Sequence, residues 1–230
     1  MRRLYSSIAL ALLVVPALAS AQGMDETVKK VTDGGIKVPG WIGQLDPGAK
    51  ETVNDAKLSM SGKDLHVMTG PAIAYVNPAN KASGDYTVKA TFNEKEYMAL
   101  NNHPHPYGIV IGANDMGTPN ATYLYCTAYG DGTFIVRGFN PKPFALGGRR
   151  PTANEAVHKA AGKGAPVSQE IAMTVKGDEV SCAINGTTVA TYKKSDVVGT
   201  DKIKSLDGLY GIRFAHNTEA TVSGLSISKP

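Results

Sequence analysis

The chain has 230 residues, 42% of them hydrophobic, and its 24 basic and 20 acidic side chains give a formal charge of +4. Such a balance lacks the dense basic stripe that phosphate-backbone binding requires, so no nucleic-acid partner is expected. The length suffices for one large core.

The chain opens MRRLYSSIALALLVVPALASAQ. Arg2 and Arg3 form a basic start, Ile8 to Val15 an apolar stretch, and Ala19-Ser20-Ala21 a small-residue cleavage point, the three parts of a secretory signal. The apolar stretch is well short of the ~20 residues a bilayer span needs, and no later run is longer. Cleavage after Ala21 and export as a soluble periplasmic or extracellular protein are therefore expected. The organisation read from this is a leader over 1–21, an N-terminal segment over 22–35 and one β domain over 36–230. Residues 22–56 are rich in Gly and Pro and place Trp41 in VPGWIGQLDPG, a segment suited to packing on a sheet edge.

From Lys57 onward the pattern is that of short strands. KLSMSGKDLHVMTG predicts a hairpin turning at Gly62-Lys63. In GDYTVKATF (84–92) Tyr86, Val88, Ala90 and Phe92 alternate with polar residues, the period of a half-buried strand. YGIVIGA (107–113) is apolar on both sides and suits a central strand. TYLYCTAYGDGTFIVRGF (122–139) predicts a hairpin with Gly130-Asp131-Gly132 at its tip. Three more strands follow over 169–192, turning at Lys176-Gly177-Asp178 and at Asn185-Gly186, whose residues tolerate positive φ. GLYGIRFAHNTEATVSGLSIS (208–228) adds two strands around His216-Asn217. One region breaks this rhythm: residues 140–168, in which Thr152-Ala-Asn-Glu155 has capping-box spacing and predicts a short helix from Ala153 to Ala161. The expected fold is all-β, a two-sheet antiparallel β-sandwich with one short helix in a long loop.

In this order of strands and turns, GDYTVKATF, YGIVIGAND, ATYLYCTAYGDGTFIVRGF, EIAMTVKGDEVSCAINGTTVATY and DGLYGIRFAHNTEATVSGLSI, the chain resembles concanavalin A-like jelly-roll and laminin-G-like domains. It is nearer still to bacterial secreted domains of the 3-keto-disaccharide hydrolase-like kind. The resemblance covers about residues 36–228 and implies two antiparallel sheets, with sugars as the commonest ligands. It carries no catalytic signature. The retaining glucanases of this fold have a Glu-x-Asp-x-x-Glu strand that sets two carboxylates side by side. The nearest approach here is Glu94-Lys-Glu96 in FNEKEY, which reads as a solvated turn.

Cys126 and Cys182 fall on apolar faces of predicted strands; a disulfide and two buried thiols both fit. By parity, Leu124, Cys126 and Ala128 face the core while Tyr123, Tyr125, Thr127 and Tyr129 face outward, opposite Ile135 and Arg137. A tyrosine row, with Tyr107 nearby, suits stacking on sugar rings, and Arg137 adds a bidentate donor. The contrary reading is a second small core under the 140–168 insertion. Arg149, Arg150 and His158, with Lys142, Lys159 and Lys163, complete a locally basic patch that fits an anionic sugar or is ordinary surface.

In NNHPHPYGIVIGAND, His103 and His105 project to one side of an extended chain, as two metal ligands, a ligand-contacting loop, or a stiff lead-in set by Pro104 and Pro106. A third metal ligand would come from His66, His158, His216, Asp115 or Glu155; calcium at Asn114-Asp115 is the other metal reading. No cofactor is required. The leading expectation is an exported carbohydrate-binding protein. Two other readings stay open: a glycoside-acting hydrolase or lyase with His103 or His105 as acid–base, and a structural or adhesive module.

Overall fold

A computed structural model describes residues 27–229. The expected export signal and its cleavage point lie outside the described residues. The chain forms β1 (Gly35–Ile36), β2 (Ile42–Leu45), β3 (Ala56–Ser61), β4 (Asp64–Thr69) and β5 (Ile73–Ala82). Then come β6 (Tyr86–Glu94), β7 (Tyr107–Asn114), β8 (Thr122–Ala128), β9 (Thr133–Phe139) and two short pieces, β10 (Pro143–Ala145) and β11 (Thr152–Ala153). β12 (Val167–Lys176), β13 (Glu179–Ile184), β14 (Thr187–Lys193), the four-residue helix α1 (Lys194–Val197), β15 (Gly208–Phe214) and β16 (Glu219–Ser228) complete the set.

The strands make two sheets, ordered β1-β3-β4-β16-β6-β12-β13-β14 and β10-β9-β8-β7-β15-β5-β2, with β11 also on β9. Every ladder is antiparallel except β1 on β3. This is the expected all-β sandwich, and its period-two alternation is what closes it. Tyr86, Val88, Ala90 and Phe92 of β6 and Ile171, Met173 and Val175 of β12 meet Tyr107, Ile109 and Ile111 of β7 and Leu124, Cys126 and Ala128 of β8 in one shared core. β7 and β8 are buried almost throughout, because their outer face is covered too. The Gly- and Pro-rich start supplies edge strands to both sheets, as its composition suggested.

Cys126 on β8 and Cys182 on β13 form a disulfide that ties the sheets face to face, with the Cα atoms 6.3 Å apart. The insertion differs from expectation. The helix predicted over 153–161 is absent: Thr152 and Ala153 pair with Phe134 and Thr133 of β9. The Asn154 side chain accepts from the Ala156 amide at 2.9 Å, a local turn that competes with helix formation. Gln169 then exchanges two hydrogen bonds with the His158 backbone, at 3.0 and 2.8 Å. β10 folds back onto β9, and Phe144 lies over Gly138 so closely that a Cβ there would meet the ring at 1.9 Å.

Glu94 also departs from the solvated turn expected of it. It ends β6 with its side chain turned inward, 5% exposed, and Oε1 accepts from the Met98 amide at 3.1 Å. Burial pushes its carboxyl from an ordinary 4.5 up to about 7, and the Met98 bond only partly offsets this. Glu96 is exposed, so the two carboxyl groups do not act as a pair.

Two predictions follow from this core. Replacing Cys126 and Cys182 with Ala should lower unfolding free energy by about 4 kcal/mol on chain-entropy grounds for a crosslink of this span, read from chemical denaturation. Because folded Glu94 holds its proton more tightly than the unfolded chain does, stability should fall as pH rises from 4.5 through about 7. Glu94→Gln should flatten that part of a melting-temperature profile; an unchanged slope would contradict the assignment.

Candidate functional site

The outer face of the second sheet carries the chemistry. Antiparallel register sets Ile135, Thr127, Gly108, Arg213 and Ala74 in one row across β9, β8, β7, β15 and β5. The next row holds Arg137, Tyr125, Val110, Gly211 and Val76. Toward one end, Tyr123, Tyr125 and Phe139 pack with Ala74, Val76, Val110, Ala113 and Ala121 into a second small apolar cluster. Toward the other end a cleft of about 430 Å³ opens, lined by Asp46, His103, His105, Tyr125, Thr127, Tyr129, Ile135, Arg137, Arg213 and His216 among others.

Arg213 anchors the floor at 6% exposure. Its guanidinium donates to Tyr123 Oη at 2.8 Å and to Asp46 Oδ2 at 2.7 Å, and lies 4.7 Å from the Tyr125 ring centroid. Burial works against the charge, but Tyr123, Asp46 and Tyr125 outweigh it and hold Arg213 protonated. Burial likewise pushes the Tyr129 hydroxyl up to about 12, so it stays a neutral donor. Three buried polar atoms of this lining, Asp46 Oδ1, Thr127 Oγ1 and Arg137 Nε, have no hydrogen-bond partner among the described residues. Polar atoms of this kind are costly to bury unpaired.

The mouth of the cleft is the loop before β7 and the corner between β15 and β16. Tyr107 pairs with Phe214, and one step further the Ala215 amide donates to Pro106 O at 2.9 Å, so His105 and His216 arrive side by side. The His103 and His105 rings meet edge to face at 4.4 Å, and His105 and His216 lie 4.0 Å apart.

Of the residues expected from sequence, His103, His105, Tyr125, Tyr129 and Arg137 converge on this cleft. Tyr123 lies beneath it, fully buried and bonded to Arg213, in a second small core whose members include none from the 140–168 insertion expected to cover it. Tyr107 does not face the cleft: its parity on β7 sends it into the core, stacked on Phe92 at 5.4 Å. The basic patch disperses. Arg137 donates to the Arg149 carbonyl at 2.8 Å, Arg149 and Arg150 are exposed, and His158 lines another depression with Glu155 and Lys159. Asp115 pairs with Lys204 beyond the far end of β7, whose 8 residues span about 26 Å at strand rise, so it does not join the histidines. Asp46 and Arg213 were not singled out; the signal for Arg213 was a lone charge at an alternating position in GLYGIRF.

A further cleft of about 340 Å³ lies on the other sheet, against His66, Lys95, Glu96 and Glu219. Its His66–Glu219 contact of 2.8 Å is partly exposed.

No protein-family model and no curated protein sequence matches the chain. Among solved structures it is similar to a carbohydrate binding module, CBM66, from Bacillus subtilis, at 8% identity over 85% of this chain and 99% of that one, with a TM-score of 0.56. It is also similar to a Bacillus subtilis protein of unknown function with a galectin-like fold, at 13% identity, 82% and 89% coverage and a TM-score of 0.55. At these identities the likeness is one of fold. The expected resemblance thus holds for the two-sheet sandwich.

The Arg213 anchor generates a prediction. Asp46→Ala strands a buried cation and should cost about 3 kcal/mol. The double variant Asp46→Ala/Arg213→Met should recover part of that loss in the same denaturation experiment, which a simple loss of packing would not do.

Proposed function

We propose that the chain binds carbohydrate in the cleft on the outer face of the second sheet. The observation that carries this reading is the cleft itself, about 430 Å³, in which half-buried Tyr129 and Arg137 stand beside Asp46, Thr127 and Tyr125. A carboxylate oxygen accepts, a guanidinium N–H donates and a hydroxyl does both. Neighbouring sugar hydroxyls offer the same alternation of donors and acceptors, while the C–H face of the ring suits an aromatic side chain. The fold it shares with a carbohydrate binding module supports the same reading. Binding is favoured over hydrolysis by a carboxylate pair, because Asp46 is the one carboxylate of this lining among the described residues and it is held by Arg213.

The chain is further proposed to work outside the cytoplasm. The leader-like first 21 residues support this, and so does the Cys126–Cys182 bridge, of a kind that persists in oxidising compartments.

A glycan array followed by calorimetric titration tests the binding. A retained glycan is expected, and Arg137→Ala should weaken it by about 10-fold or more, about 1.4 kcal/mol, with the melting temperature nearly unchanged. Thr127→Val should weaken it as well. A chain that retains no glycan, or equal affinity in both variants, overturns the reading.

A further inference from the structure

We propose that His103, His105 and His216 form a binding site for a divalent first-row transition ion, zinc foremost, at the mouth of the cleft. The ligand atoms offered by the three rings all lie within 4.8 Å of one another. They come from two distant parts of the chain, held together by the Ala215–Pro106 bond that extends the β7–β15 ladder.

Hydrogen bonds select the tautomers. His105 Nδ1 lies 2.6 Å from the His216 carbonyl oxygen, an atom that only accepts, so Nδ1 carries the hydrogen and Nε2 the lone pair. His103 Nδ1 likewise donates to Asn102 Oδ1 at 3.0 Å, which places its lone pair on Nε2. These two Nε2 atoms stand 2.8 Å apart. Two imidazole lone pairs at that distance repel unless they share a proton or a cation; a tetrahedral ion about 2.1 Å from each nitrogen sets them roughly 3.4 Å apart, a small opening of the pair. The His216 ring is half-exposed and offers a third nitrogen within 4.8 Å of the other two ligand atoms.

The surroundings are those of a supported ligand set. Asn101 is buried beside the trio, with Nδ2 donating to Asn217 O at 2.8 Å; its 3.0 Å approach to His105 Nδ1 sets two donors together and is no hydrogen bond in this tautomer. Asn217 adopts φ 50°, and its amide donates to Gly70 O at 3.0 Å, which fixes the corner bearing His216. Outer partners of this kind orient ligating histidines. Three imidazoles select zinc, cobalt, nickel or copper over the oxygen-seeking calcium and magnesium. Because all three rings line the cleft, the position left for water or a fourth ligand opens toward it.

The site is independent of the carbohydrate reading and is tested without sugar. The untagged chain, stripped with EDTA, is titrated with Zn²⁺ by calorimetry and with Co²⁺ by visible absorption. One ion per chain is expected, with cobalt ligand-field bands. His103→Gln and His216→Gln should each weaken Zn²⁺ binding by roughly 10-fold or more, while His66→Gln and His158→Gln leave it unchanged. No saturable binding, or unaltered affinity in both of the first variants, overturns the proposal. Should either variant fail to fold, imidazole ¹⁵N spectra of the wild-type chain decide. Zn²⁺ must shift the signals of His103, His105 and His216 and spare His66 and His158; any other pattern counts against the site. Glycan titration of the stripped chain then reports on the cleft separately.

Discussion

A guanidinium buried on the outer face of a sheet has to be paired, since an uncompensated charge there costs several kcal/mol. Arg213 meets that constraint through Asp46, Tyr123 and the Tyr125 ring. Each partner is thereby fixed in place. Asp46 is drawn over the sheet from the segment after β2, Tyr123 is buried against the guanidinium, and the Tyr125 ring lies beneath it. The cleft is the space left beyond this anchored cluster, where the same face passes from packed tyrosines to half-buried Tyr129 and Arg137. The unpaired atoms Asp46 Oδ1, Thr127 Oγ1 and Arg137 Nε follow from the same arrangement, which orders polar groups without satisfying all of them.

The sandwich makes such a face available. Cys126 and Cys182 tie the inner faces together, and the core between the sheets absorbs Tyr107, Phe92 and Phe214. With closure secured inside, the outer face of β8 and β9 is released for other chemistry. The histidines sit at the end of the central β7–β15 pair, where main-chain bonding continues past both strands. Imidazoles on a ladder end move less than they would on a free loop, as a ligand set or an acid–base group would require.

Much of the fold was legible in the residues. The Gly62-Lys63 and Asn185-Gly186 turns and the 122–139 hairpin lie where their local chemistry puts them. Strand parity correctly separated Leu124, Cys126 and Ala128 from Tyr123, Tyr125 and Thr127. The insertion was misread because Thr152 and Glu155 have capping spacing, yet the exposed edge of β9 offered Thr152 and Ala153 better partners, and Asn154 bonded its own turn. Glu94 was misread because its neighbours Lys95 and Glu96 are exposed, while strand parity carried it one residue further into the core.

By itself, then, the sequence determined the alternation, the turns and hence the two-sheet sandwich, since these depend on neighbours a few residues apart. It also placed two histidines on one side of an extended stretch. Only the tertiary structure decided that His216 is their companion, and that Asp46 pairs with Arg213 across 167 positions. It likewise decided which tyrosines line a cleft and which are buried beneath it. Those relations come from strand order and from what covers each face, and spacing along one chain carries neither.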